Sequence, residues 1–113
     1  MKIFHRIEDH VCVVSIIGRF VGEEVLDIKE YCIPFIEDKN IGVLLFDLKE
    51  VTTLDSAGIG LIVEIYKIFQ KREEVVAICN PKDNHMKVFE MIRLNKVLSI
   101  YATEEEALAE FAK

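Results

Sequence analysis

Two runs rich in β-branched residues, 3–7 and 11–17, open the chain and flank the polar turn Glu8-Asp9-His10. That pattern predicts a β-hairpin. From residue 23 to about 38, Val25, Ile28, Cys32, Phe35 and Ile36 recur at helical spacing, with Pro34 placed to bend or shorten the helix near its end. Residues 43–46 form a continuous apolar run that suits a strand covered on both faces. A second helix is predicted over 56–71 and a further buried strand over 75–79, ended by Asn80-Pro81. Val88, Phe89 and Ile92 stripe a third helix, and residues 97–101 make a short last strand. Thr103 and Glu106 form a capping box for a final helix whose inward stripe is Ala107, Leu108 and Phe111.

The order is β-β-α-β-α-β-α-β-α. Strands alternating with helices imply right-handed crossovers. The predicted fold class is α/β: one layer of mixed, mostly parallel sheet with an N-terminal hairpin and about four helices. Residues 1–113 read as a single domain, with no repeat, linker or low-complexity stretch.

Composition narrows the function. At 51% apolar and 30% charged residues, the chain has the balance of a soluble globular protein. Its net charge of -6 argues against direct contact with nucleic acid or an anionic membrane. Cys12, Cys32 and Cys79 lie in apolar runs without metal-ligand spacing, which predicts buried thiols in a reducing compartment. Charge appears within the first few residues and no apolar run approaches a membrane span, so a cytoplasmic location is expected.

Catalytic patterns are missing. His5, His10 and His85 have no H-x-x-x-H spacing and read as strand or surface histidines. Gly58-Ile59-Gly60 is only a fragment of a nucleotide-binding fingerprint, and Ser56 lacks the glycine of a nucleophile elbow. No catalytic site, cofactor or metal is predicted.

One segment stands apart, residues 43–67. Its strand ends at Asp47, on the carboxyl edge where open α/β sheets carry their sites, although a solvated strand end is the simpler reading. Asp55 is a plausible N-cap and Ser56 a first-turn residue. On a helical wheel Ile59, Ile62, Val63, Ile65, Tyr66 and Phe69 turn toward the sheet. Ala57, Gly60, Leu61, Glu64, Lys67, Ile68 and Lys71 fall opposite, so Leu61 is expected on the outer face as an anchor for a partner. Gly58 and Gly60 each cost about 1 kcal/mol relative to alanine in a helix. A surface that packs closely on another backbone would explain them, and so would tight packing on the sheet.

Strand, Asp47, loop, then Asp55-Ser56-Ala57-Gly58-Ile59-Gly60 resembles the signature of STAS domains, specifically the stand-alone bacterial anti-sigma-factor antagonists. The similarity runs over nearly the whole chain, including the start up to Gly18 and the tail from Val88 to Leu108. It implies a phospho-switch that is not an enzyme. The unphosphorylated form would bind an anti-sigma factor that is also a serine kinase, and so release a sigma factor. Phosphorylation at the residue matching the motif serine, Ser56, would end that binding, and a phosphoserine phosphatase would restore it. Asp55, Ala57, Gly58, Gly60 and Leu61 become the expected partner-binding residues, with Asp47 an acidic neighbour.

Two departures mark this chain. Gly18-Arg19-Phe20-Val21 stands where many members carry an acidic run, and Ile92-Arg93 replaces a Ser-Gly pair, predicting a different turn there. Two other readings remain open: a subunit of a larger STAS signalling assembly, and a small ligand-binding or enzymatic domain using Asp47 and Asp55 with a bound cation. Thr52 and Thr53 read as loop residues.

Overall fold

A computed structural model describes residues 2–112. In chain order the elements are β1 (Lys2–Glu8), β2 (Val11–Phe20), α1 (Gly22–Glu37), β3 (Val43–Asp47), β4 (Val51–Leu54) and α2 (Ser56–Lys71). There follow β5 (Val75–Cys79), α3 (Asp83–Met91), a 3₁₀ turn (Leu94–Lys96), β6 (Ser99–Tyr101) and α4 (Glu104–Phe111). The sheet order is β1-β2-β3-β5-β6, with β4 paired to the end of β2. Among the described residues only the β1–β2 pairing is antiparallel. The expected mixed, mostly parallel sheet is what forms.

Period-two alternation along β2 divides the core. Cys12, Val14 and Ile16 face α1 and α2, where Ile28, Ile62, Ile65, Phe69 and Phe89 join them in the larger apolar cluster. Val11 and Val13 face the opposite side with Val43, Leu45, Ala77 and Ala107, under α4. The continuous apolar run of β3 is explained by this two-sided burial. Thr103 caps α4 as predicted, accepting a hydrogen bond from the Glu106 N–H at 3.2 Å. All three cysteines are buried thiols. Burial pushes Cys12 up to about 11 and both Cys32 and Cys79 up to about 12, so they stay protonated at neutral pH.

Four local expectations are corrected. β4 takes the place of an expected loop: Val51-Thr52-Thr53-Leu54 is a short β-branched run that pairs in parallel with Gly18, Arg19 and Phe20. The pairing extends β2 past Gly18, which takes φ 105° at a shift of register. In α3 His85 and Phe89 are buried with Met86 packed beside them, which turns Val88 toward solvent, and the helix stops before Ile92 can turn inward. His85 is therefore not a surface histidine but 4% exposed, and burial, then the nearby Lys82 charge, holds its pKa below the usual value. Finally, Arg93 keeps the left-handed turn (φ 61°, ψ 25°) despite its side chain, with the 3₁₀ turn hydrogen-bonded behind it.

Candidate functional site

The end of β2, the strand β4 and the starts of α1 and α2 meet at one place, and Asp55 joins them. As N-cap of α2 its Oδ1 accepts from the Gly58 N–H at 2.9 Å. Its Oδ2 accepts from the Gly22 N–H at 3.1 Å. Residue Val21 precedes α1 and has no side chain able to cap it, so the carboxylate of Asp55 serves the first turns of both helices. The main-chain N–H of Asp55 donates in turn to the Phe20 carbonyl at 3.4 Å.

These hydrogen bonds hold the Asp55 pKa below the ordinary carboxylate value, with the Gly58 N–H the largest cause and the Gly22 N–H a further one. The sign of the pH dependence follows. A depressed carboxylate adds stability above its unfolded value near about 4 and loses it as pH falls through the folded value. Asp55→Asn, a neutral isostere, should therefore be less stable than the native chain at neutral pH. The gap should close on acidification in parallel denaturant titrations. A gap that persists unchanged into acid would remove the carboxylate's charge from the account.

Gly58 lies directly beneath this cap. A methyl group added there would meet the Phe20 carbonyl oxygen at 2.4 Å, Leu54 Cδ1 at 2.9 Å and Phe20 Cδ1 at 3.0 Å. Of the two readings for this glycine, tight packing on the sheet is the one realised, and Gly58 is buried. Phe20, in the run that departs from the family's acidic pattern, supplies both the carbonyl and the ring of that seat. Nothing lies within 4 Å of a methyl group added to Gly60, which faces outward.

The outer face of α2 comprises Ser56, Ala57, Gly60, Glu64, Lys67 and Ile68. Leu61 does not belong to it. At 2% exposure Leu61 packs in the main core with Ile62, Ile65 and Phe69, so it is no partner anchor. Gly58 lets the first turn settle on β2, and the buried face swings toward Gly58 and Leu61. Glu64, one turn beyond Gly60, is tied to Lys29 of α1 by an ion pair of 2.6 Å. Ser56, Ala57 and Gly60 thus form a small-residue surface on a first turn fixed by Asp55.

Asp47 serves a separate network. Its Oδ1 accepts from the Lys49 N–H and from Asn80 Nδ2, both at 3.0 Å, joining the ends of β3 and β5. Lys82 Nζ closes the cluster on the Lys49 carbonyl at 2.9 Å. Asp47 and Asp55 therefore satisfy different sets of amide donors, and no group of three or more metal-ligating side chains forms among the described residues. Thr52 and Thr53 are exposed on β4 rather than in a loop. Residue-level reading missed the Phe20 carbonyl and Gly22; the β-branched run 51–54 was the signal that pointed to them.

The STAS domain family model matches residues 3–107. An anti-sigma F factor antagonist of Paenibacillus polymyxa is 30% identical over 67 residues, 59% of this chain and 57% of that protein. The chain spans just under two thirds, at most, of the length of the curated relatives that it matches. An anti-sigma-factor antagonist (STAS) domain protein from Planctomyces limnophilus superposes with a TM-score of 0.86 at 25% identity, covering 96% of this chain and 95% of that one. The phosphorylated form of the Bacillus cell fate determinant SpoIIAA superposes with a TM-score of 0.78 at 20% identity, over 97% and 99% of the two chains. With the family model matched from β1 into α4, and the Asp55-Ser56-Ala57-Gly58 turn seated as described, this chain belongs to the STAS domain family.

Proposed function

We propose that this protein is an anti-sigma-factor antagonist, a binding module whose first turn of α2 docks on an anti-sigma factor and is switched off by phosphorylation of Ser56. The observation that carries the reading is the exposure of Ser56 at the first position of α2, directly after the ionised cap Asp55. The names of its relatives support the same role, since an anti-sigma F factor antagonist and an anti-sigma-B factor antagonist are among them.

The electrostatics make Ser56 an effective switch. A phosphoryl group adds about -1.5 to -2 charge at neutral pH and three strong acceptors. It would stand beside the Asp55 carboxylate on a chain already at -6. Helix N-termini tolerate anions, so the fold can accept the group without unwinding. The cost falls on the complex, where two like charges would have to shed water against a partner. The proposal includes a kinase-type anti-sigma factor, a phosphatase for reset and a cytoplasmic setting; no helix among the described residues is long and apolar enough to cross a membrane.

Incubation with a kinase-type anti-sigma factor and ATP, followed by mass spectrometry, tests the modification. Phosphate is expected on Ser56, and phosphate confined to Thr52, Thr53 or Ser99 would overturn the assignment. Calorimetry tests the switch. Ser56→Ala should bind as the native chain does, while Ser56→Asp should bind more weakly but melt at the native temperature or slightly above it. Equal affinity of the two variants would separate charge from the release step.

A further inference from the structure

The two outer strands of the sheet are treated differently. β6 is three residues long, the shortness by which natural proteins blunt an edge. β1 runs for seven residues in unbroken register with β2, without a bulge or proline. It also shows water two large apolar side chains, Phe4 at 54% and Ile7 at 49% exposure. Alternate residues of an antiparallel edge turn their N–H and C=O groups away from the neighbouring strand, so β1 carries an unused ladder.

The sequence of that edge, Lys2-Ile3-Phe4-His5-Arg6-Ile7-Glu8, is complementary to itself when reversed. Placed antiparallel to a second copy about His5, Lys2 faces Glu8, Ile3 faces Ile7 and Phe4 faces Arg6. The paired residue numbers sum to an even value, so residues whose backbone groups point outward meet others that do the same. The faces also agree. Ile3, His5 and Ile7 lie on the α1 side, where His5 Nδ1 meets the Tyr31 hydroxyl at 2.6 Å and Ile3 packs on the larger cluster. Lys2, Phe4, Arg6 and Glu8 lie on the α4 side, where Arg6 is held in a fork by Glu104 at 2.6 and 3.2 Å. That fork fixes the guanidinium plane on which the partner's phenyl ring can lie, an arrangement favourable for a cation and an aromatic face. Glu8, now paired with Arg6 of its own chain at 2.8 Å, is exposed enough to reach a lysine across the axis.

We infer that β1 is a self-pairing surface: two copies of this chain join edge to edge, antiparallel about His5, into one continuous sheet. β1 contributes no residue to the Ser56 site, so this inference stands apart from the proposed switch and either can fail alone.

Sedimentation of the full chain over a dilution series tests it, with circular dichroism melts to establish that each variant is folded. The native chain should dimerise reversibly. Lys2→Glu creates two like-charge contacts per dimer and should weaken association about tenfold. The double variant Lys2→Glu with Glu8→Lys restores opposite charges and should recover nearly native association, which only this register predicts. Ile7→Lys, which sets a charge against Ile3, should weaken association about tenfold or more. A chain that stays monomeric throughout the series overturns the inference. So does a dimer indifferent to both single substitutions, or a double variant no better than Lys2→Glu.

Discussion

Leu61→Ala should lower the free energy of unfolding by about 2–5 kcal/mol, the range for deleting a buried leucine and leaving a partly unfilled space. For a domain whose whole stability is about 5–15 kcal/mol, that is a large fraction. Leu61 is 2% exposed and shares its cluster with Ile62, Ile65, Phe69 and Phe20, all sealed from water. Ile68, two turns further along the same helix, is 38% exposed, and Ile68→Ala should change stability by no more than about 0.5 kcal/mol. Urea titration of both variants measures the contrast. If Leu61→Ala cost as little as Ile68→Ala, the orientation of α2 described above would be wrong. Leu61→Glu, which would bury a charge without a partner, should fail to fold and so report nothing about binding.

The architecture was legible because periodicity and punctuation agreed along most of the chain. α2 and β5 run over the ranges that the apolar pattern predicted, and the Thr103 cap begins α4 where the capping box placed it. Orientation was less legible, for a reason specific to α2. Ile59, Leu61, Ile62, Val63, Ile65, Tyr66, Ile68 and Phe69 are spread around most of the helix, so the apolar stripe is too wide to fix its own centre. Gly58 fixes it instead. Because the helix approaches the backbone of β2 through the missing side chain, the buried face is rotated by roughly 60° from the wheel's centre, at about 100° per residue. In α3 the difficulty was opposite: a polar residue, His85, holds one of the two fully buried positions, with Phe89 the other and Met86 half-buried beside them. Sequence alone also could not show that one carboxylate caps two helices. Asp55 and Gly22 are 33 residues apart, and only the β2–β4 pairing brings them together.

The proposed site was readable in part. Ser56 and Asp55 followed from the motif and the helix start, and the structure adds the reason that this serine is held so firmly. Its turn is pinned from below by Gly58 on Phe20, from the side by Asp55 on Gly22, and further along by the pair Glu64–Lys29. A binding surface fixed before it meets a partner loses little conformational freedom on docking. The proposed switch would act there through charge on a platform already fixed.

The two glycines of that turn should respond in opposite ways to the same added methyl group. Gly58→Ala drives the methyl to 2.4 Å from a backbone carbonyl that already accepts the Asp55 N–H, so neither can yield without opening the cap. Overpacking of this kind costs about 1–3 kcal/mol, and a clash with backbone belongs at the upper end. Gly60→Ala meets nothing within 4 Å and should gain about 0.5–1 kcal/mol from the better helix propensity of alanine. Binding separates them further. If a partner's backbone approaches the small surface of Ser56, Ala57 and Gly60, the methyl of Gly60→Ala stands in its path and should weaken the complex by about 1–3 kcal/mol in a better-folded protein. Urea titration and calorimetry on the two variants give four numbers. A stabilised Gly60→Ala that binds an anti-sigma factor as tightly as the native chain would move the contact off this strip and onto the flanks of α2.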